Sequence, residues 1–166
     1  MRVFSFICLL WLAACGFEPV HSARTHSDGD TAGALEDVQV VVPTGSRIGQ
    51  LYRIALEDTL HPANEFPTPR YRLTATIEEI NQPIIIERDA SITRYNLILK
   101  TQYSLIDLSN GKVLGKKSGQ RISSYNVSDS DFATFVAERD SRERGIRDLA
   151  RSVSNELASL LKEPQS

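Results

Sequence analysis

The strongest constraint on the fold is a two-residue alternation of apolar and polar side chains in the middle of the chain. It runs through residues 71–78 and again through residues 94–105, where apolar side chains at odd positions alternate with mostly polar ones. Successive side chains of a β-strand point to opposite faces of its sheet. The alternation therefore predicts two long strands, each with one apolar face and one polar face.

Two further strands are indicated on either side of this pair. Residues 37–42 are rich in valine and are followed by Pro43, which is typical of a short strand that stops there. The Asn110-Gly111 pair favours a two-residue type I′ hairpin turn. It predicts that the second long strand is joined to a fourth strand over about residues 112–125.

Two amphipathic helices complete the element order. The first follows Ser46, a good N-cap, ends before Pro62, and carries one apolar stripe: Ile48, Leu51, Tyr52, Ala55, Leu56 and Leu60. The second is long and covers about residues 131–162. Its second half has a clear apolar face: Ile146, Leu149, Ala150, Val153, Leu157, Leu160 and Leu161. Its first half carries Phe132, Phe135 and Val136, and Gly145 is expected to bend or weaken it locally.

The predicted order is β-α-β-β-β-α. Each strand has one apolar face and each helix one apolar stripe, and the natural way to bury both is to pack helices on a sheet. The sequence therefore predicts an α+β fold, a two-layer sandwich with two helices on one face of a four-stranded, mostly antiparallel sheet. The other face of the sheet is expected to be open to solvent or to a partner.

The turns also predict how the strands pair. A three-residue loop at residues 88–90 places Leu73 opposite Leu105, Ala75 opposite Tyr103 and Glu78 opposite Lys100. A two-residue Asn110-Gly111 loop places Leu99 opposite Ile122, Lys100 opposite Arg121 and Ser104 opposite Lys117. With these registers the open face carries a basic stripe: Arg72, Arg94, Lys100, Lys117 and Arg121. Such a stripe suits phosphate or carboxylate ligands, and a merely solvated polar face is the alternative.

The N-terminal segment indicates export and lipidation. Arg2 precedes a ten-residue apolar run over residues 3–12, which is too short to span a bilayer but fits a signal-peptide core. It ends in Leu12-Ala13-Ala14-Cys15, the pattern of a bacterial lipobox, in which the cysteine thiol accepts the lipid. We therefore expect a signal peptide over residues 1–14, an acylated Cys15 with a flexible tether over residues 15–35, and a folded domain over residues 36–163.

Several classes of function have little support in the residues. Cys8 lies in the signal segment and Cys15 is the lipidation site, so no thiol remains for a disulfide, a thiolate metal site or nucleophilic catalysis. Without Arg2 the chain has 18 basic and 21 acidic residues, a formal charge of −3 that gives no reason to expect a nucleic-acid partner. Asp129 and Asp131 precede a helix and suit capping or the helix dipole better than acid–base chemistry. We expect no enzyme, metal or cofactor.

Two stretches resemble a known family. The start of the expected mature chain reads Cys15-Gly16-Phe17-Glu18-Pro19, and residues 132–150 read FATFVAERDSRERGIRDLA. Together with the β-α-β-β-β-α order and the long terminal helix, they resemble the alphaproteobacterial branch of the LptE family of lipopolysaccharide (LPS)-assembly lipoproteins. Ser141 stands where that branch usually has alanine.

The resemblance implies a non-enzymatic role in the Gram-negative cell envelope. Members of the family sit as a plug inside the β-barrel protein LptD at the outer membrane, bind LPS and help to insert it into the outer leaflet. It implies that Cys15 carries palmitate and anchors the protein to the outer membrane, with the protein facing the periplasm. It also implies LPS binding by Arg88 and by Lys116 or Lys117. Lys100 and Arg121 are further candidates for LPS binding, which follow from the predicted basic stripe rather than from the resemblance. The alternative is an envelope lipoprotein that serves as an accessory subunit of a lipid transporter.

Overall fold

The computed structural model describes residues 33–62, 68–85 and 92–162. Its elements follow the predicted order, with a single helical turn at residues 33–36 ahead of the first strand. They are β1 (Val38–Val41), α1 (Arg47–Leu60), β2 (Tyr71–Ile85), β3 (Ile92–Asp107), β4 (Val113–Asn126) and α2 (Asp131–Lys162). Within these described segments, none of the helices is both long enough and apolar enough to cross a membrane.

The four strands form one mixed sheet in the order β1-β2-β3-β4. β1 is parallel to β2, because the chain crosses over through α1, and the other neighbouring strands are antiparallel. The predicted register of β2 and β3 is confirmed, with Leu73 opposite Leu105 and Glu78 opposite Lys100. Both helices contact the sheet and each other, so the α+β sandwich is confirmed.

The first helix begins and ends where its sequence indicates. The Ser46 side chain accepts a hydrogen bond from the Gly49 backbone N–H at 3.1 Å, which caps the helix. Its buried Tyr52 forms a hydrogen bond with Thr101 Oγ1 at 3.0 Å. The Thr101 hydroxyl donates its own proton to the Thr76 carbonyl at 2.8 Å, so Tyr52 is the donor in the bond between the two side chains. Burial raises the pKa of Tyr52 to about 12, so its hydroxyl keeps the proton that it donates.

The long helix lies unusually close to the last two strands. A Cβ atom at Gly145 would lie 2.9 Å from Leu99 Cδ1 and 3.0 Å from Ser123 Oγ. A Cβ atom at Gly115 would lie 3.0 Å from Leu160 Cδ1. Thus α2 runs through Gly145 as one helix, and the glycine provides close packing against the sheet.

The predicted turn between β3 and β4 is wrong. The strands are joined by residues 108–112, and the Asp107 carboxylate organises the turn by accepting from the Ser109 backbone N–H at 2.8 Å and its hydroxyl at 2.6 Å. Gly111 has φ +72°, and its N–H donates to the Asp107 carbonyl at 2.8 Å. The longer turn and a bulge at Leu114 change the pairing, so that Leu99 lies opposite Arg121.

This one-residue shift reverses the faces of β4. Lys100 lies opposite Gln120 rather than Arg121, and Ser104 lies opposite Lys116 rather than Lys117. Because side chains alternate along a strand, every β4 residue after the bulge, from Gly115 to Asn126, lies on the face opposite to the predicted one. The residues under α2 are therefore Gly115, Gly119 and Ser123 together with Lys117, Arg121 and Tyr125.

Candidate ligand-binding face

The sheet face turned away from the helices is the open face. It is formed by alternate residues of all four strands, and most of its side chains are polar. Its members on β2, β3 and β4 are Arg72, Thr74, Thr76, Glu78, Ile80, Gln82, Ile84, Arg94, Asn96, Ile98, Lys100, Gln102, Ser104, Ile106, Val113, Lys116, Ser118, Gln120, Ile122, Ser124 and Asn126.

Part of this face forms a shallow depression of about 550 Å³. Small hydroxyl and amide side chains line most of it, with two lysines at its β4 border. The lining consists of Thr74, Thr76, Gln102, Tyr103, Ser104, Lys116, Lys117 and Ser118. Hydroxyl and amide groups both donate and accept hydrogen bonds, while ammonium groups donate and carry charge. This combination suits a ligand with sugar hydroxyls and anionic oxygens.

A row of three isoleucines crosses the open face beside the polar residues. Ile80 lies directly opposite Ile98, and Ile98 lies directly opposite Ile122, which is 52% exposed. Directly opposed β-branched side chains stabilise neighbouring strands by packing against each other. The row also gives the open face an apolar strip next to its polar depression, which is the chemistry of a surface that contacts an amphiphile.

The sequence did not indicate this isoleucine row. The alternation places Ile80 and Ile98 at polar positions of their strands, where single apolar residues are unremarkable. The predicted register of β4 put Ile122 on the helix-covered face. Only the observed register brings the three side chains into one row.

Three residues of the predicted basic stripe do lie on the open face. Lys100 is exposed and lies between Glu78 and Gln120. Arg72 Nε donates to Gln39 Oε1 at 3.0 Å, and Arg94 Nε donates to Asn126 Oδ1 at 3.0 Å. These bonds hold both guanidinium groups against the sheet.

The other two residues of the stripe, Lys117 and Arg121, lie on the helix-covered face, so this part of the prediction is wrong. Lys117 Nζ lies 3.7 Å from a carboxylate oxygen of Glu156, which also accepts a hydrogen bond from the Tyr103 hydroxyl at 2.5 Å. Burial, with Glu156 beside it, raises the pKa of Tyr103 and keeps it a donor. Lys116, which the stripe did not include, takes the place of Lys117 on the open face, although the Lys117 side chain still borders the depression.

Two predicted sites, Cys15 and Arg88, lie outside the described residues. At the start of α2, the Ser130 hydroxyl accepts a hydrogen bond from the Ala133 N–H at 3.3 Å, and Asp131 lies in the first turn, where a negative charge is favourable. In the part of the chain that the structure describes, no three potential ligands of the His, Cys, Asp or Glu type are grouped to hold a metal ion.

A cluster of ion pairs joins the first half of α2 to β2. The Arg142 guanidinium donates to both carboxylate oxygens of Glu79, at 2.7 and 2.8 Å, and to Glu138 at 2.5 Å. The hydrogen bonds from Arg142 to Glu79 are the main cause that raises the pKa of Arg142. This cluster fixes α2 to β2 and leaves the open face unobstructed, so it is structural.

Comparison with known proteins gives both a family match and structural likenesses. The model of the LptE family, described as lipopolysaccharide-assembly, matches residues 35–157. No curated protein matches the chain.

The fold is similar to those of several solved lipoproteins. A putative lipoprotein from Caulobacter crescentus has a TM-score of 0.65 at 22% identity, over 81% of this chain and 98% of that one. A minor lipoprotein from Acinetobacter baumannii has a TM-score of 0.54 at 14% identity, over 76% and 96%. The rare lipoprotein B from Shewanella oneidensis has a TM-score of 0.52 at 11% identity, over 75% and 98%.

Proposed function

The chain belongs to the LptE family of lipopolysaccharide-assembly proteins, and from this premise we propose that it is the lipoprotein plug of the LptD β-barrel at the outer membrane. In this role it helps the barrel to insert LPS into the outer leaflet and carries out no catalysis. The observation that carries the proposal is the family match, which covers nearly the whole folded domain. A rigid two-layer domain with largely polar surfaces is physically suited to fill a water-lined barrel.

The N-terminal sequence supports the proposed location. Cleavage before Cys15 and acylation of its thiol would anchor the chain to the membrane, with residues 16–32 between the lipid and the described domain. Each buried methylene of an acyl chain contributes about 0.8 kcal/mol to membrane binding, so a multiply acylated cysteine holds the protein durably. The domain then faces the periplasm from the outer membrane.

The open face supports contact with LPS. Its isoleucine row offers apolar contact for acyl chains, and Lys100 and Lys116 offer ammonium groups for the phosphates of lipid A. The threonine and serine hydroxyls of the depression suit sugar groups. Lys117 borders this depression and belongs to the same proposed site, whereas Arg121 lies on the helix-covered face and Arg88 stays a sequence prediction.

Isolation of the lipidated chain in mild detergent tests the partnership. We expect it to bring with it a large outer-membrane barrel, in a complex that survives size-exclusion chromatography. Isolation with an inner-membrane ATPase transporter instead would favour the accessory-subunit role and refute the proposal. The Cys15→Ala variant is the matched control for anchoring, because we expect it to lose palmitate labelling and signal cleavage.

Binding of purified LPS tests the open face. The Lys100→Gln/Lys116→Gln variant should bind about tenfold more weakly, because each lost charge-assisted bond to phosphate is worth roughly 1.5–3 kcal/mol before solvent screening. The matched control is Arg47→Gln/Lys112→Gln, which removes the same charge from exposed positions elsewhere. Equal weakening by both pairs would indicate a general charge effect and remove the open face from the proposal.

A further inference from the structure

The start of α2 exposes two large apolar side chains to solvent. Phe132 is 76% exposed and Phe135 is 59% exposed, and Val127 just before the helix is 36% exposed. Residues three apart lie on the same side of a helix. Ala137 is the first residue of α2 that packs against the core, so Phe132 and Phe135 lie before the helix meets it. We call Val127, Phe132 and Phe135 the aromatic patch.

The segment that carries the aromatic patch is held in place by local hydrogen bonds. Thr134 Oγ1 accepts from the Ser128 backbone N–H at 3.0 Å, and the Thr134 N–H donates to the Ser130 carbonyl at 3.0 Å. The Ser128 hydroxyl donates to the same Ser130 carbonyl at 3.1 Å. The two phenylalanines are therefore presented on an ordered helix start, which lowers the entropy lost when a partner binds them.

The aromatic patch lies at the end of the sheet opposite to the chain's N-terminal side. β1 begins at Val38, which pairs with Tyr71 at the start of β2, whereas α2 begins just after β4 ends, at the far end of β2. The 15 residues of β2 span roughly 50 Å at about 3.3 Å per residue. The patch therefore lies at the end of the domain that is remote from residue 33, where the described chain begins.

The charges near the aromatic patch also disfavour a membrane surface. Residues 127–140 contain four acidic residues and one basic residue, a net charge of −3. Asp129 and Asp131 flank the start of the helix, immediately beside Phe132. Anionic lipid headgroups repel such a segment, whereas a protein pocket with lysine or arginine at its rim attracts it. Aromatic side chains, phenylalanine included, are enriched in protein interfaces.

We propose that the aromatic patch docks into an apolar pocket with a basic rim on a partner protein. The proposal rests on the proposed function, in which that partner is the LptD barrel. The aromatic patch then fixes the end of the domain that is remote from residue 33, while the tether fixes the other end. Two separate attachments would hold the domain in one orientation and leave its open face available to LPS.

Co-expression of the full lipidated chain with the barrel from the same organism tests this docking. We expect Phe132→Ser/Phe135→Ser to weaken recovery of the barrel at least tenfold, since a few buried anchor residues carry most of the binding energy of an interface. The matched control is Ile54→Ser/Val113→Ser, which removes two apolar side chains that are 50% and 45% exposed outside the patch. It should change recovery less than about twofold. Thermal unfolding of both variants shows whether the fold is intact.

A photoreactive benzoyl-phenylalanine at position 135 identifies what covers the patch. A cross-link to the barrel supports the proposal, whereas cross-links only to lipid or to a second copy of the chain would overturn it. The two proposals can fail separately. If the unaltered chain does not retain the barrel, the proposed function fails. If the unaltered chain retains it and Phe132→Ser/Phe135→Ser retains it equally, only the docking proposal fails.

Discussion

Gly145 of α2 lies directly against Leu99 of β3, so close that a Cβ atom at Gly145 would lie 2.9 Å from Leu99 Cδ1. Leu99 is fully buried and has little room to move. The contact fixes how near the long helix lies to the sheet, and with it the position of the aromatic patch that the same helix carries at its start.

Gly145→Val should therefore destabilise the domain by about 2–3 kcal/mol, because overpacking a filled core forces neighbours from their preferred positions. Gly45→Val is the matched control, since no atom in the described part of the chain lies within 4 Å of a Cβ atom there, and it should change the free energy of unfolding by less than about 0.5 kcal/mol. Chemical denaturation of both variants measures the difference. Equal stability of the two would contradict the close approach of α2.

Ser141 is fully buried, and none of the described residues forms a hydrogen bond with its hydroxyl. Ser141→Ala should stabilise the domain by about 1 kcal/mol, because it removes a buried polar group that gained no bond on folding. Alanine is also the residue that the resemblance led us to expect at this position. Ser159→Ala is the control on the exposed side of α2, where the hydroxyl donates to the Asn155 carbonyl at 3.3 Å. If Ser141→Ala stabilises the domain no more than Ser159→Ala does, the Ser141 hydroxyl is not unsatisfied.

The Arg142 cluster makes a third prediction. Arg142→Ala leaves the carboxylates of Glu79 and Glu138 close together without their shared cation, with the side chains of Arg142 and Glu79 only 22% and 17% exposed. We expect a loss of about 2 kcal/mol in the free energy of unfolding, less than for a fully buried pair because solvent screens part of the interaction. Arg144→Ala removes an exposed arginine from the same helix and should be nearly neutral. A similar loss in both variants would mean that the cluster contributes nothing specific.

The turn at Asp107 makes the fold sensitive to acid. Hydrogen bonds from the Ser109 hydroxyl and backbone N–H lower the pKa of Asp107, with Arg70 as a smaller contribution. An unfolded-state aspartate titrates near about pH 4, so this stabilisation is present above about pH 4 and is lost as the pH falls through the lower folded-state pKa. NMR titration of the Asp107 carboxyl carbon measures that pKa directly.

Ser109→Ala serves as the companion variant for the Asp107 turn. It keeps the carboxylate but removes one donor, so it should raise the Asp107 pKa towards its ordinary value. It should also make the loss of stability between about pH 6 and about pH 2 smaller. An unchanged Asp107 pKa in this variant would show that the hydroxyl does not stabilise the carboxylate.

The fold was predictable where apolar periodicity is strong. β2 and β3 carry buried, mostly apolar side chains at alternate positions, so a wrong register would have exposed them, and the predicted pairing of Leu73 with Leu105 is confirmed. β4 carries glycine and serine under α2 because the helix approaches closely, so its buried face has no apolar pattern to read. The predicted register of β4 therefore depended on the Asn110-Gly111 pair alone. It was wrong because Asp107 organises a longer turn.

The candidate site was predictable only in part, for the same reason. Lys100 follows from the pattern of β3 alone, whereas the positions of Lys117 and Arg121 depended on the β4 register and were wrong. The isoleucine row depends on pairings across three strands, which no single segment reveals. Likewise, the periodicity of α2 does not show that the helix begins before the core does, so the exposure of Phe132 and Phe135 needed the structure.

Depletion of this chain in its own bacterium, followed by pulse-labelling of LPS, tests the central claim most directly. The proposed function requires that newly made LPS stops reaching the cell surface and accumulates on the inner side of the outer membrane. Other outer-membrane lipoproteins should still be delivered. Re-expression of the unaltered chain should restore surface LPS. Surface delivery of new LPS at an unchanged rate after complete depletion would contradict a role in its insertion.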